Sequence, residues 1–285
     1  MSAITTHAGR RRIAADSSAN LTEYSSVSFG LAPMKIITEE REFVDDPGLD
    51  PEDMLRYFDH FKGRSQTSCP NPEDWLRAFG DAEEIFCLAI TSALSGSYNT
   101  ACIAKEMYED AHPGSRVFVI DSRSAGPELT LTVEKLAELI PTERSFEDIC
   151  EEITAYQQQT GLLFSLESLK NFAANGRVSP TVARLAGVLG IRIVGKASDE
   201  GTLEPTDKCR GEAKGIAALV KNLKANGLKQ GRVRITHCCN EGAALKLRAL
   251  LEAELPDISV TVGINRGLCS YYAERGGLLV GYEKI

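Results

Sequence analysis

Between Ile85 and Asp110 the chain passes from an apolar run through a hydroxyl-rich turn directly into a helical pattern. Ile85-Phe86-Cys87-Leu88-Ala89-Ile90 has the length and continuity of a strand buried on both faces. The run breaks at Ser92 and at Ser95-Gly96-Ser97, and helical spacing begins at once. The first N–H groups of a helix lack intrahelical partners and carry the positive end of its dipole, so a turn of this kind can accept a carboxylate or a phosphate. Gly96 would let such a group approach the backbone closely. The plainer reading of the same residues makes Ser95 or Ser97 the N-cap of the helix and nothing more.

The same succession recurs. Arg12-Ile13-Ala14-Ala15 is a short strand ending in Asp16-Ser17-Ser18-Ala19-Asn20-Leu21, and Val27–Ile37 is a second strand region. Asp50-Pro51 starts a helix through Met54, Leu55, Phe58 and Phe61, and Asn71-Pro72 starts another, which leaves Thr67-Ser68 in the loop before it. Val117–Ile120 runs into Asp121-Ser122 and then into helices over Leu129–Leu139 and Ser145–Gln159. Strands alternating with helices predict a parallel α/β sheet whose ligand groups lie at the strand C-terminal ends. Four hydroxyl-rich turns, Asp16–Ser18, Thr67-Ser68, Ser92–Ser97 and Asp121-Ser122, are therefore expected to converge on one crevice.

The pattern changes further on. Leu162-Leu163-Phe164 is a strand, Ser165–Ser168 has the form of a capping box, and Asn175-Gly176 closes the helix that the box would open. A helix over Val182–Leu189, a strand at Ile191–Val194 and a long helix opened by Thr206-Asp207 follow. Arg232–Thr236, Ile258–Ile264 and Leu278–Tyr282 are strands, with a helix over Glu241–Leu255. The expected architecture is two α/β domains, the first with a mainly parallel sheet and the second with a mixed one. Residues 1–11 form a flexible tail, 12–160 the first domain and 161–285 the second.

Composition narrows the function. The net charge is -8 and no basic stripe is present, which argues against a nucleic-acid partner. No apolar run reaches the roughly 18 residues of a membrane span, and the N-terminus lacks an apolar signal core, so a cytoplasmic protein is expected. The eight cysteines include no C-x-x-C pair and are expected as free thiols, and four dispersed histidines make no metal cluster. No metal and no cofactor is expected. Phosphate-loop, dinucleotide, nucleophile-elbow and zinc-protease signatures are missing as well. Neutral hydroxyls suit reversible retention of one carboxylate better than catalysis. The competing reading is an acyl hydrolase with Ser95 as nucleophile and His237 as base; His237 is otherwise structural or a substitute ligand.

Several of these segments, taken in order, resemble the DegV family of fatty-acid-binding proteins. They are Asp16–Leu21, Thr67-Ser68-x-Pro70, Ser92–Ala101 with its Leu94-Ser95-Gly96-Ser97-Tyr98, Asn175–Ser179, and Leu189–Arg192 with Lys196, Gly201 and Arg210. The resemblance extends from about residue 12 to the C-terminus. It implies a long-chain fatty acid in an apolar tunnel between two α/β domains, with its carboxylate at Thr67 and Ser95 and with Ser68 and the amide of Gly96 nearby. It also implies a kinase subunit that phosphorylates the presented carboxylate, docking on basic residues that match Arg177 and Arg210. One departure stands out, because the family's H-T-G-P-G stretch corresponds here to Ala273-Glu274-Arg275-Gly276-Gly277. A third headgroup ligand would then come from Tyr271, Tyr272 or Arg275.

Overall fold

The computed structural model describes residues 11–183 and 190–285. Residues 1–10 of the expected 1–11 tail and the part of the Val182–Leu189 helix beyond residue 183 lie outside the described residues, while Arg11 is not tail but the buried first residue of a strand. The chain enters at β1 (Arg11–Asp16), passes a 3-10 turn (Ser17–Ala19), and forms β2 (Phe29–Ala32), β3 (Lys35–Thr38) and β4 (Glu42–Val44). Helix α1 (Pro51–His60) starts as its sequence predicts, with the Asp50 side chain accepting from Glu52 N and Pro51 in the first turn. Then come β5 (Ser65–Ser68), α2 (Pro72–Phe79), β6 (Glu84–Ala89), α3 (Ser97–Ala111), β7 (Arg116–Asp121), α4 (Pro127–Leu139) and α5 (Phe146–Gln157).

Strands β2-β1-β6-β7 form an all-parallel sheet. Side chains alternate between its faces. Ile13, Phe86 and Leu88 pack under α4 and α5, while Ala14, Ile85 and Cys87 pack against Trp75 and Phe79 of α2 and Ala101 and Ala104 of α3. Covering on both faces explains the unbroken apolar run of β6. A small antiparallel sheet, β4-β3-β5, stands beside this layer. Thr67 and Ser68 belong to β5, paired with Ile36 and Lys35, and not to a loop as their sequence context suggested. Isolated polar strands carry no apolar alternation; this one exists because β3 supplies its backbone partners.

The second half contains β8 (Thr160–Leu166), α6 (Lys170–Ala174), α7 (Pro180–Ala183), β9 (Ile191–Ala197), β10 (Leu203–Arg210) and α8 (Glu212–Ala225). It continues with β11 (Gly231–His237), α9 (Glu241–Glu254), β12 (Ile258–Ile264), α10 (Gly267–Ala273) and β13 (Leu278–Glu283). The sheet order is β10-β9-β8-β13-β11-β12, with only β11 and β12 parallel. Two expectations fail here. Ser165 and Leu166 extend β8 instead of capping a helix, because buried Phe164 and Leu166 keep the strand paired with β9 through Leu166 opposite Ile193. Thr206-Asp207 lies inside β10, whose register shifts between Pro205 and Asp207, and the helix starts only after Gly211 at φ 84°.

Helix α4 packs against both large sheets. A Cβ on Gly281 of β13 would fall 2.4–2.5 Å from backbone atoms of Pro127 and Glu128, so the strand reaches the helix only because that residue is glycine. Arg234 pairs with Glu134 through two 2.7 Å bonds, and Arg232 reaches Glu138 at 2.6 Å and Glu283 at 2.9 Å. The β9–β10 hairpin also touches the first sheet. Gly201, at φ 79°, lies so close to Thr91 that a Cβ would stand 2.1 Å from its Oγ1. Gly201→Ala is expected to destabilise the protein by about 1–3 kcal/mol through clash and backbone strain, read as a lower urea midpoint with an unchanged m-value.

Candidate functional site

A cavity of about 300 Å³ lies between the two large sheets. Its walls are mostly apolar, with Leu162, Phe164 and Leu279 from one sheet facing Met34, Ile90 and Leu94 from the other side. Polar residues interrupt that lining: Thr67, Ser68, Ser95, Arg177 and Tyr272 with the backbone at Gly96, and also Thr91, Ser124 and Thr202. Such a lining suits a ligand that is apolar over most of its length and polar at one end.

The turn before α3 is built from below by a buried carboxylate. Asp16 accepts from Ile90 N at 2.9 Å, from Ser97 Oγ at 2.6 Å, and from both N and Oγ of Ser18. Ser97 is thus engaged, and Ser95 Oγ accepts only a 3.3 Å contact from Ser97 N. The N-cap is Gly96, with no side-chain cap bond, so neither serine caps the helix as the plainer reading supposed. Gly96 faces Cys69, whose Sγ would stand 3.3 Å from an added Cβ. The expected convergence of four turns holds for two of them. Thr67-Ser68 and Ser95-Gly96 reach the cavity, whereas Asp16–Ser18 braces the turn and Asp121 receives Ser92 N at 3.0 Å and Ser92 Oγ at 2.5 Å.

The opposite side of the polar group comes from α10, a helix that lacks any side-chain cap of its own. The buried Asp45 carboxylate serves instead, accepting from Gly267 N at 2.9 Å and Leu268 N at 2.8 Å. Sequence reasoning missed both α10 and Asp45, since the two partners stand 222 residues apart. The helix delivers Tyr272, whose hydroxyl meets Thr67 Oγ1 at 2.7 Å and whose ring packs on Phe172 at 4.6 Å between centroids. Burial raises the Tyr272 phenol, against smaller lowering effects of Thr67 and Arg177, so it is a neutral donor near pH 7.

The other two candidates for a third ligand lie elsewhere. Tyr271 Oη bonds Ser65 Oγ at 2.7 Å and Asn175 Nδ2 at 3.0 Å, and it faces an outer groove. Arg275 grips Asp59 with bonds of 2.8–3.1 Å and faces the same groove. Ala273 is buried in the cavity wall. Arg177 lines both the cavity and the groove; Arg210 stands exposed at the end of β10 and lines neither. His237 does not line the cavity that holds Ser95; burial lowers its imidazole, and Nδ1 accepts from Asn240 N at 3.3 Å.

Residues 10–274 match a family model described as an uncharacterised protein of the DegV family. The chain belongs to the DegV family. A DegV domain-containing protein of Streptococcus pneumoniae is 42% identical over 258 residues, 90% of this chain and 92% of that one. A DegV family protein from Eubacterium eligens, crystallised with heptadecanoic acid, superposes with a TM-score of 0.94 at 43% identity, covering 96% of this chain and 100% of that one. The Streptococcus pneumoniae fatty acid kinase B3 protein, crystallised with linoleic acid, superposes with a TM-score of 0.92 at 40% identity over 96% and 99% of the two chains. The two α/β units, one with a parallel and one with a mixed sheet, are those of DegV proteins. No helix among the described residues is long and apolar enough to cross a membrane.

Asp45→Ala removes both acceptors at the start of α10 and is expected to cost about 2 kcal/mol or more, measured by urea unfolding. A pH dependence follows from Asp16. Burial raises its carboxyl, outweighing the bonds from Ser18, Ser97 and Ile90 that lower it, so the native state holds the proton more tightly than the unfolded chain. Its contribution to stability is complete below the ordinary value of 3.8 and is lost as pH rises through the raised one. Unfolding curves of wild type and Asp16→Asn should therefore diverge above about pH 4, with the wild type losing stability relative to the variant.

Proposed function

We propose that this protein binds a long-chain fatty acid without chemical change, with the acyl chain in the apolar cavity and the carboxylate among Thr67, Ser95, the backbone at Gly96, and Tyr272. The observation that carries this reading is a single apolar cavity with hydroxyl donors from α10, β5 and the α3 turn gathered on its lining. Relatives about 40% identical, crystallised with fatty acids, support it. A partly desolvated carboxylate needs several donors, and this set supplies them, with the Arg177 guanidinium in the same lining. Tyr272 is chosen over Tyr271 and Arg275 as third ligand because it lines the cavity and they do not. Ser68 takes an outer place, since its hydroxyl donates to Cys69 O at 3.2 Å.

The same reading makes the protein a cytoplasmic carrier, built of units 12–160 and 161–285, that presents the carboxylate to a kinase subunit for phosphorylation. Arg177 and Arg210 are the proposed docking residues, and the likeness to the fatty acid kinase B3 protein supports such a partner. Non-catalytic binding is favoured over acyl hydrolysis because Ser95 has no histidine beside it among the cavity-lining residues.

Native mass spectrometry of protein purified without delipidation should show a bound mass equal to a fatty acid; delipidated protein with no affinity for long-chain fatty acids would refute the assignment. Tyr272→Phe removes one hydrogen bond to a charged group and should weaken binding about tenfold or more, with Thr67→Ala similar. Because the Tyr272 phenol is raised, the protein's side of the affinity should stay flat between about pH 6 and 9, where a histidine ligand would titrate. Titration calorimetry across that range measures this. A fluorophosphonate probe should leave Ser95 unlabelled.

A further inference from the structure

Three hydroxyl residues line the cavity without belonging to the headgroup cluster: Thr91, Ser124 and Thr202. Thr91 follows β6, Ser124 follows β7, and Thr202 stands in the turn between β9 and β10. They sit on adjoining backbone. Thr91 N donates to Ser124 O at 3.0 Å. Gly201, next to Thr202, packs so closely on the Thr91 hydroxyl that a Cβ there would stand 2.1 Å from Oγ1. The place where the hairpin crosses the first layer is therefore a second polar wall, opposite apolar side chains such as Leu162 and Leu279 of the mixed sheet.

The three hydroxyls have unequal capacity left. Thr202 is exposed, and its Oγ1 is paired with Ser198 Oγ at 2.9 Å. Ser124 Oγ gives its hydrogen to the buried Glu128 carboxyl and keeps only acceptor capacity. Thr91 is 1% exposed, and its Oγ1 accepts from Ala93 N at 3.2 Å. Its own hydrogen reaches no acceptor among the described residues. The turn after β6 thus uses Thr91 as an acceptor and leaves a buried donor in the cavity wall. Such a donor facing a plain hydrocarbon chain loses its hydration and gains nothing in exchange, whereas valine would fill the same space without that cost. An oxygen on the bound chain would take the Thr91 hydrogen, and a hydroxyl could pass its own to Ser124 Oγ.

We propose that Thr91, with Ser124 beside it, is a second polar contact for the bound chain, and that the ligands of this protein include long-chain fatty acids with a hydroxyl or oxo group on the acyl chain. The proposal rests on the fatty-acid reading above and names an oxygenated class within it. In a purely apolar cavity a buried, unpaired hydroxyl on the ligand would weaken binding roughly fivefold or more. The Thr91 donor removes that penalty. Binding alone is claimed, with no bond made or broken by this chain.

The test measures competition with a fluorescent fatty acid on the delipidated full chain, using octadecanoic acid and a series of its hydroxy isomers with the oxygen at successive positions. Wild type is expected to bind at least one isomer as tightly as octadecanoic acid. Thr91→Val should lower the affinity of that isomer relative to octadecanoic acid by about threefold to tenfold, and Thr91→Ser, which keeps the hydroxyl, should preserve the wild-type ratio. Two further ligands test the bond on the wild type alone, whether or not the valine variant folds. The oxo counterpart of the favoured isomer, which accepts only, should bind as well as the hydroxy acid, and the methyl-branched counterpart, of similar size but without oxygen, should bind more weakly. Weaker binding of every hydroxy isomer than of octadecanoic acid overturns the Thr91 contact alone. So does an unchanged ratio in folded Thr91→Val, or a methyl branch accepted as well as the hydroxyl. Failure to bind octadecanoic acid and all of its derivatives removes the fatty-acid reading itself.

Discussion

The buried carboxylate of Asp45 supports much of what makes the site. Its two bonds to the amides of Gly267 and Leu268 start a seven-residue helix that has no cap of its own. Such a short helix is marginal in water, because nucleation costs more than one or two turns return. Held by Asp45 and packed through Tyr271 against Phe58 of α1, it points Tyr272 at Thr67 across 205 residues of sequence. Without that anchor the hydroxyls would not face one cavity.

A second constraint keeps the cavity walls at a fixed spacing. Helix α4 is buried on both sides, covering the parallel sheet with Leu129, Leu131 and Val133 and meeting the mixed sheet at Gly281. The arginines of β11 clamp its acidic residues, and Glu283 is kept ionised by Tyr156 and Arg232 although burial opposes this. Replacing one member of such a partly buried network leaves its partner uncompensated, so the network favours one arrangement of the two sheets more than it adds net stability. The mostly apolar cavity lies between these two layers, which the hairpin at Gly201 also bridges.

Much of the fold was legible in the chain itself. The β6-to-α3 passage, the Asp50 and Asn71 starts and the strands β12 and β13 all depend on neighbours within a few residues, and each formed close to where its pattern indicated. The errors share one cause. Ser165–Ser168 and Thr206-Asp207 carry local helix-start signals that lost to strand pairing with β9, an interaction supplied by distant residues. Thr67 lies in a strand and not in the expected loop for the same reason. Cys69, Phe172 and Asp45 carried no local signal at all.

The sequence by itself determined the alternation of strands and helices, the lack of catalytic and metal signatures, the Ser95-Gly96 turn and, through its motifs, the family. These depend on short-range periodicity and on backbone chemistry that one segment contains. Only the tertiary structure decided that Gly96, not a serine, is the N-cap of α3, and that Tyr272 and neither Tyr271 nor Arg275 meets Thr67. Those outcomes depend on which side chains remain after distant partners have taken theirs, and that is settled only when the chain is folded.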